Sequence, residues 1–139
     1  MDLTEFAAAV GGEGPVTISG LGTRGGPVAG VRCVHAPAGI EWVQADEMIV
    51  SCGAGTRVGE LVAALAAHRQ TVALPAGGTV GGALAVGHGD VRRLGYGPVR
   101  DVLLQARYVS AAGELVKAGG PTVKNVSGRD LKEIAQEMG

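Results

Sequence analysis

The sequence contains few aromatic residues, since Phe, Trp and Tyr together make up 3% of its 139 residues. Proteins that bind single-stranded nucleic acids stack bases on aromatic side chains, so this class of function is not supported. The formal net charge is −1, and no block of basic residues is present. A surface that binds duplex nucleic acid needs clustered lysines and arginines, so we expect no nucleic-acid partner.

The sequence also lacks a long apolar run and a recognisable signal peptide at its start. A membrane-spanning helix needs about 20 consecutive apolar residues. We therefore expect no membrane span and a cytoplasmic location. Cys33 and Cys52 are the two cysteines, and without a secretory signal we expect both thiols to be reduced and buried. These cysteines and the three histidines lack the spacing of metal ligands, so no metal site is predicted.

Apolar residues make up 46% of the chain, which is enough for a hydrophobic core in a single folded domain. Because aromatic residues are scarce, this core must consist of valine, leucine, isoleucine and alanine. The single tryptophan, Trp42, is interpreted as a core or edge residue rather than part of a site.

Glycine is abundant instead, with 25 residues in the chain and eight of them within residues 75–101. Such a density weakens ordinary helices and strands. Apolar or small residues lie between these glycines, which is not typical of a flexible linker. The segment is either a set of tight turns or a packed cradle whose exposed backbone N–H groups bind an anion such as phosphate.

A second glycine-rich segment, residues 20–26, follows a predicted strand at residues 15–19. The segment is not a Rossmann fingerprint, because Pro27 and Gly30 prevent the helix that should follow. It is not a P-loop either, because no Lys-Ser/Thr pair follows the glycines. A phosphate site and an ordinary turn both remain open for this segment.

The pattern Gly-x-Gly-Thr-Arg occurs twice, at residues 20–24 and 53–57, each time after a predicted strand. Only the second copy is followed by apolar residues at helical spacing, from Val58 to Leu65. This spacing predicts a helix that Thr56 caps and that extends to about His68.

Local patterns predict the remaining elements. Residues 2–10 predict a helix that Asp2 or Thr4 caps. Short apolar runs lie at 31–34 and 40–44, and residues 48–52 and 70–74 predict strands. Residues 102–110 and 114–118 predict a β-hairpin. A closing helix is predicted from its apolar face, which consists of Leu131, Ile134, Ala135 and Met138.

Five segments occur in an order that resembles a known family. They are I-S-G-L-G-T at 18–23, G-A-G-T-R-V-G-E-L at 53–61, L-P-A-G-G-T-V-G-G-A-L-A at 74–85, R-R-L-G-Y-G-P-V-R-D-V-L-L at 92–104 and T-V-K-N-V-S-G-R-D-L at 122–131. Together they resemble the FAD-binding domain of the vanillyl-alcohol-oxidase/p-cresol-methylhydroxylase (PCMH) type of flavoprotein. Within it, the chain is most similar to the FAD-binding subunits of glycolate oxidases and their bacterial relatives.

The resemblance implies an α+β (α/β) fold of the PCMH type, with two small subdomains of mixed sheet and flanking helices. The first subdomain is expected at residues 1–53 and a partial second one at 54–139, with FAD between them. The first glycine loop is expected to wrap the pyrophosphate, and the second to add N–H contacts near it. The implied cofactor-binding residues are Gly20, Leu21, Gly22, Thr23, Arg24, Gly25, Gly77, Gly78, Thr79, Val80, Gly81, Gly82, Ala83, Tyr96, Gly97, Asp101, Lys124, Asn125 and Val126.

Some relatives attach the flavin covalently through a histidine in the first glycine loop. Here that loop has Thr23 and Arg24 and no histidine. We therefore expect non-covalent FAD. His88, in the second segment, is expected to face solvent or the edge of the cofactor.

Whole members of this family continue with further strands and a separate substrate domain, so the fold is expected to be incomplete at its C-terminal end. No acid–base pair presents itself, and the catalytic residues stay unassigned. The resemblance implies an FAD-binding component of a 2-hydroxy-acid-oxidase-like enzyme, which acts with a partner subunit or as a homodimer and does not bind substrate alone.

One departure from the family favours an alternative. Relatives commonly carry an aromatic residue where this chain has Arg129. The alternative function is therefore a truncated, non-catalytic flavin-fold protein that acts as an interaction module, or one whose loops bind another small phosphate ligand.

Overall fold

The computed structural model describes residues 2–23, 25–87 and 99–120. These residues form three α-helices, which are α1 (Leu3–Val10), α2 (Val58–Ala66) and α3 (Val80–Val86). They form six strands, which are β1 (Val16–Ile18), β2 (Arg32–Val34), β3 (Ile40–Gln44), β4 (Ile49–Cys52), β5 (Gln105–Val109) and β6 (Leu115–Gly119). Single turns of 3-10 helix lie at Ala45–Glu47 and Val99–Val102. The predicted closing helix lies outside the described residues.

Helix α1 begins with a capping box and ends at a glycine. The Asp2 side chain accepts a hydrogen bond from the Glu5 N–H at 2.8 Å, and the Glu5 carboxylate accepts one from the Asp2 N–H at 3.1 Å. Gly11 follows the helix with a φ of 64°, which favours glycine. The Arg32 guanidinium donates to the last two carbonyls of α1 and so ties this helix to β2. The predicted helix is confirmed, with Asp2 as its cap.

Strands β1 and β2 form a parallel pair, with Val16 opposite Arg32 and Ile18 opposite Val34. The pairing continues for one more bond, because the Ser19 N–H donates to the Val34 carbonyl at 2.9 Å. The glycine-rich residues 20–26 begin directly after this bond. They therefore lie at the carboxyl end of a parallel strand, which is where open α/β sheets bind their ligands.

The core lies between α2, α3 and the antiparallel pair β3–β4. Helix α2 buries Val58, Leu61 and Leu65, as the helical spacing predicts. Leu74, Val80, Ala83 and Val99 complete the buried cluster. Apolar side chains of β3 and β4 pack against it, among them Val43 and Val50, which are paired across the two strands.

Two predictions that follow α2 are wrong. The helix ends at Ala66 instead of His68, because Arg69 takes a left-handed φ of 56° and the Gln70 N–H turns back to the Leu65 carbonyl. Residues 70–74 form no strand, since they pair with no neighbouring strand. The Gln70 side chain instead donates to the Ala45 carbonyl at 2.7 Å.

Helix α3 forms inside the glycine-rich segment, although the glycine density predicted weak helix there. Thr79 caps it by accepting a hydrogen bond from the Gly82 N–H. Val80 and Ala83 are buried in the core. Tertiary packing therefore stabilises this short helix against its low intrinsic propensity.

Strands β5 and β6 form the predicted hairpin, with Arg107 opposite Lys117. The strand begins at Gln105 because the preceding Val99–Val102 is a turn of 3-10 helix. Gly113 in the hairpin turn has a φ of 81°, and a Cβ there would lie 2.9 Å from the Gly11 carbonyl oxygen. The end of α1 therefore packs directly on this turn.

The observed class is a mixture of helices and small sheets, which agrees with the predicted α+β class. The division into subdomains at residue 53 and the finer features of the PCMH-type fold stay predictions. Within the described ranges, every helix is too short or too polar to span a bilayer. Both cysteines are free, and Cys33 is exposed, so the expectation that it is buried is wrong.

Candidate functional site

A cleft of about 210 Å³ lies between the residues that follow β1 and one face of α3. We call residues 20–26 the glycine loop. The cleft therefore brings together the two glycine-rich segments that the sequence singled out separately. Its described lining residues are Ile18, Ser19, Gly20, Leu21, Gly22, Thr23, Gly25, Gly26, Thr79, Gly82, Ala85 and Val86.

The glycine loop forms the first wall of the cleft, and its described residues, 20–23 and 25–26, are all exposed. Gly22 and Gly25 have φ values of 73° and 152°, which non-glycine residues rarely adopt. Within the described residues, no hydrogen bond is formed by the backbone N–H groups of Gly20, Leu21 or Gly22. Donors in such a loop are available to an anion.

The N-terminal turn of α3 forms the second wall, and its N–H groups already have partners. The Val80 N–H donates to the Thr56 carbonyl at 2.9 Å, and the Gly81 N–H donates to the Ala54 carbonyl at 2.8 Å. The Gly82 N–H donates to the Thr79 hydroxyl at 3.1 Å. A helix whose first N–H groups had no partner would offer them all to an anion. Here an anion would have to share these donors with their present partners.

Seven of the predicted cofactor-binding residues line the cleft, and six other described ones do not. Those on the cleft are Gly20, Leu21, Gly22, Thr23, Gly25, Thr79 and Gly82. Those away from it are Gly77, Gly78, Val80, Gly81, Ala83 and Asp101. Val80 and Ala83 point into the core instead. Cofactor contact stays a prediction for all of them.

The other predicted site residues lie outside the described part of the chain. They are Arg24, Tyr96, Gly97, Lys124, Asn125 and Val126. His88 and Arg129, which the sequence also singled out, lie outside it too.

Four lining residues were missed, namely Ile18, Ser19, Ala85 and Val86, whereas Gly26 belongs to the loop that was expected to wrap the pyrophosphate without being named as a contact. Thr79, Gly82 and Val86 are spaced i, i+3 and i+7, which places them on one face of a helix. That spacing would have identified Val86, had the glycine-rich segment been interpreted as a helix. Ile18 and Ser19 carry no such signal, because their place in the cleft depends on the end of β1.

The described lining of the cleft has no charged side chain, so its electrostatic character comes from backbone dipoles and hydroxyl groups. Apolar side chains form part of its edge. Ile18 is 63% exposed, Leu21 47% and Val86 39%. The cleft thus combines N–H donors that have no partner among the described residues with exposed apolar surface.

The groups with shifted pKa values lie elsewhere, on β3 and β4. A hydrogen bond from the Ser51 hydroxyl to Glu41, together with Arg107, lowers the pKa of the Glu41 carboxyl. Burial raises the pKa of the Cys52 thiol. Neither group lines the cleft, so these shifts concern the stability of the fold rather than the chemistry of the site. In the described ranges, no cluster of His, Cys, Asp or Glu could hold a metal ion.

Comparison with protein families gives a match between residues 7–119 and the profile of the FAD binding domain. The chain belongs to this FAD-binding domain family. The match includes both walls of the cleft and identifies FAD as the cofactor. The sequence-based resemblance is thereby confirmed.

Curated relatives of this FAD-binding domain are oxidoreductases or their subunits. The D-lactate dehydrogenase of Archaeoglobus fulgidus is 38% identical over 95 residues, which is 66% of this chain and 21% of the relative. The glycolate oxidase subunit GlcE of Escherichia coli is 32% identical over 144 aligned positions, which is 95% of this chain and 40% of the relative. The glycolate oxidase subunit GlcD of Bacillus subtilis is 36% identical over 56 residues, 40% of this chain and 12% of the relative. The chain thus spans less than half the length of each.

Proposed function

We propose that the cleft binds the pyrophosphate of non-covalently held FAD, with the glycine loop as the principal source of N–H donors. The observation that carries this proposal is the meeting of the two glycine-rich segments at a single cleft. The N–H groups of Gly20, Leu21 and Gly22, which have no partner among the described residues, suit the phosphate oxygens. Because the described lining has no charged side chain, these dipoles and solvent would stabilise the phosphate charge.

The dimensions of the cleft support binding of one part of the cofactor. A volume of about 210 Å³ is below the roughly 300–1,000 Å³ of pockets that enclose a drug-sized ligand. FAD is larger than such a ligand, so the cleft would hold only a segment of it. Exposed apolar side chains of Ile18, Leu21 and Val86 adjoin the free donors and suit an apolar ring beside a phosphate group.

The biochemical role that we propose is that of an FAD-binding component of an oxidoreductase acting on 2-hydroxy acids. Glycolate and D-lactate, which appear in the names of the relatives, are both 2-hydroxy acids. FAD, when bound, supplies the redox chemistry, and the protein supplies binding and orientation. We propose that the substrate-binding groups come from outside the described residues, in a partner subunit or in a second copy of this chain.

The glycine that best tests this proposal is Gly26. A Cβ at Gly81 would lie 2.8 Å from the Ala54 Cβ, so a larger residue there would disturb folding before it disturbed the cleft. Gly26 lines the cleft, and a Cβ there meets no atom within 4 Å. Gly26→Val should therefore fold normally and narrow the cleft. Gly59→Val is the matched control, because Gly59 also has open space but lies on α2, away from the cleft.

The experiment is a visible absorption spectrum of the purified chain, identification of the flavin released by heat, and titration with FAD. We expect one FAD per chain in the wild type and in Gly59→Val. We expect Gly26→Val to weaken FAD binding by roughly tenfold or more, a loss of at least about 1.4 kcal/mol. A colourless wild-type protein that takes up no added FAD would contradict the proposal and favour the interaction-module alternative. Wild-type affinity in Gly26→Val would contradict the location of the site.

A further inference from the structure

Thr79 is buried to an unusual degree for a polar residue at the edge of a cleft. Its side chain is 7% exposed. Its hydroxyl accepts the Gly82 N–H at 3.1 Å, and its carbonyl accepts the Ala83 N–H at 3.0 Å. Thr79 therefore fixes the first turn of α3, which is one wall of the cleft.

The same side chain packs against the other wall. A Cβ built on Gly20 would lie 2.9 Å from the Thr79 Oγ1 and 3.1 Å from its Cγ2. Real Cβ atoms are not found as close as 2.9 Å. Gly20 is therefore a glycine because the backbone of the glycine loop rests directly on Thr79.

The backbone around Thr79 is held from a third side. Residues 57 and 79 form an antiparallel bridge. Its hydrogen bonds run from the Val58 N–H to the Gly78 carbonyl at 3.0 Å and from the Val80 N–H to the Thr56 carbonyl at 2.9 Å. Because the residues at the start of α2 hold this backbone in place, the Thr79 side chain is a rigid support for the glycine loop.

We propose that Thr79 is a positioning residue that sets the separation between the glycine loop and α3, and thereby the affinity for FAD. This inference rests on the proposed function. Thr79 acts through Gly20 and Gly82: it supports the loop that carries the free N–H donors and orients the helix turn that faces them. The role requires both the hydroxyl, which caps α3, and the size of the side chain, which the loop contacts.

A double-mutant cycle tests this coupling. Gly20→Ala should weaken FAD binding roughly tenfold, an effect within the range seen for residues in contact. Thr79→Ala should also weaken binding, because both the cap and the support are lost. In the double variant the new methyl group occupies the space that Thr79 has vacated, so its affinity should exceed that of Gly20→Ala alone. Thr79→Ser keeps the hydroxyl that caps α3 but loses the methyl group that the loop contacts, so its affinity for FAD should lie between those of Thr79→Ala and the wild type.

Phe6→Leu is the control for a purely structural effect. Phe6 is a buried residue of α1 that neither lines the cleft nor contributes to the contacts of Thr79 described above. This variant should lose stability and keep its affinity for FAD. The affinities come from titration with FAD, and each variant is checked for folding by circular dichroism.

The outcomes separate this inference from the proposed function. If the wild type binds FAD but the effects at positions 20 and 79 are additive, the inference is overturned and the proposed function stands. Unchanged affinity in a folded Thr79→Ala protein would overturn it as well, even if Gly20→Ala did not fold. Failure of the wild type to bind FAD would overturn both.

Discussion

The two copies of Gly-x-Gly-Thr-Arg follow strands in the same way but have opposite environments. In the first copy, residues 20–24, the described residues 20–23 are exposed to solvent and line the cleft, and we call it the exposed copy. We call the second copy, residues 53–57, the buried copy because its Thr56 is fully buried, although Ala54 and Arg57 are exposed; its glycines pack against the chain that precedes β3. A Cβ at Gly53 would overlap the Pro37 carbonyl, and one at Gly55 would overlap the Ala36 carbonyl. The two copies therefore use glycine for different reasons.

In the exposed copy, glycine permits an unusual backbone conformation at Gly22, with a φ of 73°. In the buried copy, neither glycine has a positive φ, and what glycine permits is close contact between two backbones. Thr56 shows the same contrast, because it is fully buried while Thr23 is exposed. The difference depends on the residues that follow each copy. The buried copy is followed by α2, whose apolar face packs in the core, whereas the exposed copy is followed by Gly25, Gly26 and a proline.

We expect the largest difference in stability when one methyl group is added to the buried copy and, in a second variant, to the glycine loop. We expect Gly55→Ala to lower the free energy of unfolding by about 3 kcal/mol, because the new Cβ overlaps a backbone carbonyl that cannot move away easily. Gly26→Ala should change it by less than about 0.5 kcal/mol, since nothing lies within 4 Å of its Cβ. Urea denaturation of both variants measures this. Equal losses would mean that the two segments do not differ in packing.

A second contrast lies in the two threonines. The Thr56 hydroxyl accepts the Gly39 N–H at 2.9 Å and donates to the Gly39 carbonyl at 3.2 Å. Thr56→Val removes both bonds and should cost about 2 kcal/mol. Thr23→Val should cost less, about 1 kcal/mol or less, because solvent can replace a hydrogen bond that is lost at this exposed position. The same denaturation experiment compares them, and a larger loss in Thr23→Val would reverse the assignment of the two copies.

Local patterns in the sequence were sufficient for elements whose apolar spacing or capping is strong. Asp2 was one of the two caps predicted for α1 and is the observed one, and the spacing from Val58 to Leu65 identifies the buried face of α2. The family resemblance indicated the two segments that meet at the cleft. It did not indicate which glycines face the cleft, because the direction of a Cβ depends on contacts between distant residues. Gly81 illustrates this, since its neighbour is Ala54 rather than the cleft.

The wrong predictions from the sequence have the same physical origin, namely contacts between residues that are distant in the chain. Glycine content argued against helix at α3, but burial of Val80 and Ala83 and the Thr79 cap outweigh the propensity. Thr56 has a typical capping residue type, yet its hydroxyl bonds to Gly39, and α2 begins without a side-chain cap. Tertiary hydrogen bonds of this kind leave no trace in local sequence.

A smaller effect on stability is expected at acidic pH in β3 and β4, the strand pair that precedes the buried copy. The Glu41 carboxylate accepts hydrogen bonds from the Ser51 hydroxyl at 2.6 Å and from Arg107 at 2.9 Å. These contacts hold the pKa of Glu41 below its ordinary value of 4.5. The stabilisation is therefore present above about pH 4.5 and is lost as the pH falls through the lowered pKa. Because the pair is exposed, it should contribute less than about 1 kcal/mol.

Glu41→Gln should consequently lose less stability than the wild type between pH 6 and pH 3, as measured by urea denaturation at each pH. Glu13→Gln, at an exposed position between α1 and β1, is the control and should follow the wild type. If Glu41→Gln and the wild type lost stability in parallel, the contacts of Glu41 would contribute nothing to the strand pair that leads into the buried copy.

The last comparison uses the two thiols, since Cys52 directly precedes the buried copy and Cys33 is an exposed residue of β2. Burial raises the pKa of Cys52 above its ordinary value of 9.0. The fold therefore favours the neutral thiol, and this contribution is present below pH 9 and lost as the pH rises through the raised pKa. Because the thiolate is the reactive form and Cys52 is less exposed than Cys33, Cys52 should react with a disulfide reagent more slowly than Cys33. The single-cysteine variants Cys33→Ser and Cys52→Ser separate the two rates. Gly55→Ala should increase the reaction rate of Cys52 and leave that of Cys33 unchanged, because this substitution loosens only the packing around the buried copy. Equal reaction rates of the two thiols in the wild type would show that this packing does not protect Cys52.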